Sequence, residues 1–149
     1  MKSFSTAAFL ASICASGALA HDIRTIVTGA GYDWEEHTAT TEDGYILTAF
    51  RITRKTGEAQ PEEYKPPILL MHGLFGESET FVQNTATTAP AFLMVDEGYD
   101  VWLGNNRGNK HSQDHTKLSE YSSAFWDFSW AEMGQYDVPA FVSLVKSTA

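Results

Sequence analysis

"ILLMHGLFGESETF", residues Ile68 to Phe81, sets four apolar residues directly before His72-Gly73 and then Leu74-Phe75-Gly76. The run Ile68 to Met71 shows no polar alternation. It reads as a strand covered on both faces, as in a sheet with helices on either side. Its abrupt end in His-Gly marks a tight turn. Ligand sites in open α/β sheets lie at the carboxyl ends of strands, and a glycine there lets the backbone approach a ligand closely. The turn His72-Gly73-Leu74 is thus placed to offer the Leu74 N–H to an oxyanion, the charge that develops when an ester carbonyl is attacked. The same letters also describe an ordinary strand-to-helix turn, and the dipeptide alone does not separate the two readings.

On the N-terminal side, residues 55–67 are polar and carry Gly57 and three prolines, which makes them a connection. Before it, Trp34 to Thr41 and Tyr45 to Ile52 are rich in strand formers and flank the turn signal Glu42-Asp43-Gly44, a β-hairpin pattern. On the C-terminal side, Pro90 to Glu97 reads as a helix with Pro in its first turn and Gly98 just past its end. Asp100 to Leu103 is another short apolar strand, stopped by Gly104. A polar loop follows from Asn105 to about Ser123. Ser129 and Glu132 have capping-box spacing. Asp137 to Val145 predicts a further helix, with Asp137 as N-cap and Pro139 in the first turn. The order hairpin, strand, helix, strand, helix implies an α/β sheet with parallel neighbours.

The chain of 149 residues is 43% hydrophobic and 19% charged, a globular balance with room for one domain. Its formal net charge of −9 argues against nucleic acid as a partner, since phosphate binding needs a basic face. Residues 1–20 read as a secretory signal peptide. Lys2 is the only charge before Asp22, Ala7 to Cys14 is a short apolar run, and Ala18-x-Ala20 fits cleavage before His21. The run is too short for a transmembrane anchor. Residues 21–149 then form the remaining domain. The only cysteine, Cys14, lies in the leader, which leaves residues 21–149 no thiol for a disulfide or a metal.

From Gly31 onward the chain resembles the acid lipase family of α/β-hydrolases, which includes lysosomal acid lipase and gastric lipase. The resemblance is carried by "GYDWEEHTATTEDGYILTAFRI" (31–52), "KPPILLMHGLFGES" (65–78), "EGYDVWLGNNRGNKHS" (97–112) and "FWDFSWAEMGQYDVPAF" (125–141). It implies the N-terminal part of an α/β-hydrolase fold, truncated before the strand that bears the nucleophile. It implies hydrolysis of neutral-lipid esters at a lipid–water interface by a Ser–Asp–His triad, without a cofactor. The Leu74 N–H would be one of two oxyanion donors, with His72 and Gly73 forming its turn. The nucleophile elbow G-x-S-x-G does not occur here; "GESET" (76–80) lacks the last glycine and follows the wrong strand. The resemblance places nucleophile, acid and base beyond Ala149 and makes the missing C-terminal half a partner. It also implies a secreted or lysosomal location.

Other residues have plainer readings. His111 and His115 have a helical metal-ligand spacing, but "HSQDH" sits in a loop without H-E-x-x-H or a third ligand, so no metal is expected. Arg107, in "LGNNRGN", either touches substrate or ties its loop through its five fixed donors, and the tying role suits the guanidinium better. His37 is read as a cross-strand neighbour, Glu35, Glu36, Glu62 and Glu63 as solvated charges, and Trp126 and Trp130 as core. The rival to an ester hydrolase is a secreted lipid- or protein-binding module without catalysis.

Overall fold

The computed structural model describes residues 22–59, 61–62 and 64–149. The leader of residues 1–20 and Glu63 lie outside the described residues. Strands β1 (Tyr32–Thr40) and β2 (Tyr45–Lys55) form the antiparallel hairpin, paired from Tyr32 opposite Lys55 to Thr40 opposite Ile46 with a register shift between Asp33 and Trp34. The Thr41 side chain closes its turn, accepting the Tyr45 N–H at 2.8 Å and donating to Asp43 Oδ1 at 2.6 Å.

Strand β3 (Lys65–Met71) runs parallel to β4 (Tyr99–Gly104), and β4 runs antiparallel to β2. The sheet order is β1-β2-β4-β3, with the two-residue β5 (Asp114–His115) paired to the start of β2. Side chains alternate across this sheet with the two-residue period of a strand. Phe50, Ile52, Val101 and Leu103 face one layer, made by α1 (Ile23–Gly29) and α2 (Pro90–Asp96). Leu47, Ala49 and Trp102 face the other, with Phe125 and with Phe141 and Val145 of α4 (Val138–Thr148). The hairpin, the parallel strand pair and the flanking helices are those expected of an α/β sheet.

Four expectations are corrected. Ile68 to Met71 is only half-buried, whereas β4 is buried on both faces from Asp100 to Gly104. Strand β3 lies at the sheet edge, with β4 as its one partner strand among the described residues. Its pairing with the Asp100–Leu103 strand is the expected one; what is corrected is the covering of both its faces. Pro66 and Pro67 fit this edge, because they cannot donate to a ladder and the register shifts between Lys65 and Ile68. Helix α1 was not anticipated; its seven residues carry only Ile23 and Val27 as buried anchors, with Asp22 accepting the Arg24 N–H at 3.0 Å as N-cap. The polar loop contains β5 and runs into a 3-10 turn at Ser123–Trp126.

Asp137 is not an N-cap. The helical run begins earlier, at α3 (Trp130–Glu132), where Ser129 and Glu132 form the capping box. A π turn, Met133–Asp137, joins α3 to α4, and Asp137 within it is helical and buried. Pro139 has no N–H to return to the preceding turn, and a widened turn before it accommodates that loss.

Candidate functional site

Strands β3 and β4 end side by side, with Met71 opposite Gly104, so both following loops emerge at one rim of the sheet. A Cβ on Gly104 would meet the Met71 side chain and lie 3.2 Å from the Phe141 ring, so Met71 would have to move aside. The first loop folds at once: the Gly76 N–H donates to the Gly73 carbonyl at 3.0 Å. Phe75, the third residue of that turn, has φ 57°, a left-handed value that Leu74 does not share. This is type II geometry, which ordinarily puts glycine at that place. Phe75 is 99% exposed and Leu74 58% exposed, so packing does not hold the strained conformation. Among the described residues no protein acceptor takes the Leu74 N–H.

The second loop is a polar net. Asn105 is buried; its Oδ1 accepts the Ser78 N–H at 3.0 Å and its Nδ2 donates to the Thr48 carbonyl at 3.2 Å. The Arg107 guanidinium is buried over the Tyr45 ring, 3.9 Å from its centre. It donates to both Asp43 oxygens at 2.6 and 2.9 Å and to Asp137 Oδ1 from Nε at 2.8 Å. The Arg107 backbone N–H adds a bond to Asp137 Oδ2 at 3.0 Å. Burial pushes the Asp137 carboxyl above the usual range, and the bonds from Arg107 offset this only in part. Burial acts the same way on Asp43, but there the bonds from Arg107 and Thr41 prevail and its pKa falls. Gly108 has φ 84°, and a Cβ there would lie 2.7 Å from the Phe128 ring.

His72 joins the two loops. Its Nε2 accepts the Asn106 backbone N–H at 3.1 Å, and its Nδ1 lies 2.9 Å from the Gly73 carbonyl. Around these loops lies an open cleft of about 1000 Å³, with Leu74, Phe75, Trp126, Phe128, Trp130 and Val138 on its apolar walls. Trp126 and Trp130 are 46% and 70% exposed, so they belong to the cleft and not to the core.

The two histidines of "HSQDH" are separated in use. His115 Nδ1 accepts the Lys117 and Leu118 N–H groups at 2.9 and 3.0 Å. His111 Nε2 lies 2.9 Å from Glu79 Oε1. Glu77, Glu79 and His111 gather within 4.8 Å, but the Lys110 ammonium sits 2.9 Å from both carboxylates and already supplies the cation. Burial raises the Glu79 pKa, and hydrogen bonds from His111 and Lys110 outweigh this and bring it down to about 2. His37 faces Ala49 across the hairpin and contacts Glu35 at 2.9 Å. Glu35 and Glu36 are not simply solvated, since they pair with Arg51 at 3.3 Å and Arg24 at 2.6 Å. Asp43, Glu79 and Asp137 were not recognised from sequence as partners of the site. Their contacts cross 64, 32 and 30 residues, and no short motif encodes such separations.

Residues 23–85 match the partial alpha/beta-hydrolase lipase region. Lipase 1 of Drosophila melanogaster is 49% identical over 120 residues, 80% of this chain and 26% of that protein. Lipase member K of Mus musculus is 43% identical over 124 residues, 83% of this chain and 31% of that protein. Gastric triacylglycerol lipase of Bos taurus is 36% identical over 137 residues, 92% of this chain and 34% of that protein. The chain thus spans about a third or less of the length of these relatives. No helix among the described residues is long and apolar enough to cross a membrane. The matched lipase region, the relatives and the α/β sheet with its rim of loops agree: the chain belongs to the acid lipase family of α/β-hydrolases and corresponds to a part of its members' length.

Proposed function

We propose that this chain contributes the oxyanion-binding turn and the adjoining acyl-binding wall of a secreted or lysosomal carboxylic ester hydrolase acting on neutral lipid esters, either triacylglycerol or sterol ester. The observation that carries the reading is the Leu74 N–H just past the end of β3, which no acceptor takes among the described residues, in a turn that lines an apolar cleft. Attack on an ester carbonyl moves negative charge onto its oxygen, and a donor held in place beforehand stabilises that charge without reorganising. The apolar walls take the acyl chain and keep water from it. Nucleophile, acid and base come from the remainder of the enzyme, since residues 1–149 contain no G-x-S-x-G. Residues 21–149 alone therefore give no serine-dependent labelling by a fluorophosphonate above a denatured control.

The test joins this chain to the remaining portion of a family lipase. Leu74→Pro deletes the N–H yet suits the turn, because the second position of a type II turn accepts proline. It should lower kcat by ~10²–10³, the usual loss for one oxyanion donor, while Leu74→Ala keeps most activity. Equal losses in both variants, with folding intact, reject the backbone-donor role. The exposed rings of Phe75 and Trp130 favour a second reading, a lipid-binding module without catalysis. Binding of triolein emulsion by a completed protein that hydrolyses no ester would select it.

A further inference from the structure

We infer that His72 is a positioning residue for the Leu74 N–H, holding the Gly73–Leu74 peptide through Nδ1–H while Asn106 and Asn109 hold its Nε2. The inference rests on the oxyanion reading above. The Gly73 carbonyl and the Leu74 N–H belong to one planar peptide unit, so fixing the carbonyl fixes the donor. Gly73 permits close approach of the backbone, but without a side chain it supplies little rigidity of its own. Two contacts converge on its carbonyl: the Gly76 N–H at 3.0 Å and His72 Nδ1 at 2.9 Å.

The direction of the second contact follows from the far side of the ring. The Asn106 backbone N–H can only donate, and it does so to His72 Nε2 at 3.1 Å. Nε2 is therefore bare, the ring proton sits on Nδ1, and Nδ1–H donates to Gly73. Asn109 Nδ2 lies 3.2 Å from the same Nε2. Its orientation is settled by its other bonds, since Asn109 Oδ1 accepts the His111 N–H at 3.0 Å and Nδ2 donates to Asn105 Oδ1 at 2.8 Å. The loop behind these groups is anchored by Asn105 and Arg107. A carbonyl that accepts two bonds polarises its own peptide, which makes the attached N–H a stronger donor. His72 thus transmits the rigidity of the second loop to the donor of the first.

The test uses two substitutions in the completed enzyme and one spectrum of the chain. His72→Asn sets an amide NH₂ where Nδ1–H stands. His72→Gln carries its amide further out, towards Nε2, and loses the donor to Gly73. His72→Gln should lower kcat about tenfold or more at unchanged KM, a part of the ~10²–10³ lost with a whole oxyanion donor. His72→Asn should retain the larger part of kcat. Nitrogen-15 spectra of histidine-labelled chain should show the His72 proton on Nδ1. If Leu74→Pro is silent, the oxyanion reading fails and takes this inference with it. If Leu74→Pro is damaging while both His72 variants match the parent, the oxyanion reading stands and the positioning role is rejected. Equal loss in both His72 variants rejects it too, as does a ring protonated on Nε2 or averaged between tautomers.

Discussion

Replacing Arg107 with methionine isolates the buried ion cluster behind the site. Arg107 is 2% exposed and Asp137 fully buried, so neither charge is shielded by water. The substitution removes the Nε bond at 2.8 Å and the Nη2 contact at 2.7 Å from Asp137, leaving only the backbone N–H of residue 107. Asp43 keeps its bond from Thr41, and its side chain is 27% exposed, so it can regain water. The cost therefore concentrates on Asp137. Breaking one partner of a buried pair typically costs ~3–5 kcal/mol, a large share of the ~5–15 kcal/mol that stabilises a domain. The sign with pH follows from the direction of the shift. Burial already raises the folded-state pKa of Asp137, so the folded form holds this proton more tightly than the unfolded one. Removing Arg107 takes away the opposing influence and widens the gap. The deficit of Arg107→Met should shrink as pH is lowered from neutrality towards the raised value. Urea unfolding at micromolar concentration, followed by tryptophan fluorescence at several pH values, reads both effects. Adding Asp137→Leu should restore much of the loss, because an apolar pair of similar volume replaces a buried ion pair at little net cost. A double variant no better than the single would assign the loss to packing over Tyr45 and refute the reasoning.

Glu79 is held at about 2, so its stabilisation is present above its unfolded value and lost as pH falls towards 2; acid titration of stability should lose that component in Glu79→Gln. Phe75→Gly should stabilise the fold by about 0.5–1 kcal/mol, since relief of a left-handed residue exceeds the added chain entropy and no packed surface is lost, whereas Phe75→Ala should not; the urea midpoint decides. Trp130→Ala should change stability by less than about 0.5 kcal/mol, as expected of an exposed side chain away from the core, and should remove the component of tryptophan emission most open to acrylamide quenching. The unprotected β3 edge, Ile68 to Met71, should make the chain self-associate at high concentration, and Leu69→Lys should suppress this in light scattering; a parent chain that stays monomeric would reject an aggregation-prone edge.

The elements that the sequence disclosed depend on neighbours a few residues away. Strand formers and turn residues marked the hairpin as Trp34 to Thr41 and Tyr45 to Ile52, within three residues of the observed strand ends. Continuous apolar runs marked β3 and β4, proline and glycine bracketed α2, and spacing alone revealed the capping box of Ser129 and Glu132. The His72-Gly73-Leu74 turn was legible because its signal, apolar strand then glycine, is also local. Helix α1 escaped notice because seven residues with two anchors carry too little periodicity to read. Asp137 looked like a cap because helix caps and buried counter-ions use the same residue type; its partner, Arg107, lies 30 positions away. Trp126 and Trp130 looked like core because hydrophobicity predicts burial only on average, and whether a face is covered depends on elements remote in the chain. The half-burial of β3 has the same origin: its apolar run suits a strand covered on both faces, but how far it is covered depends on elements remote in the chain. Local chemistry thus named the parts, and contacts spanning tens of residues arranged them, because a side chain's charge state, exposure and partner are properties of its surroundings and not of its own position in the chain.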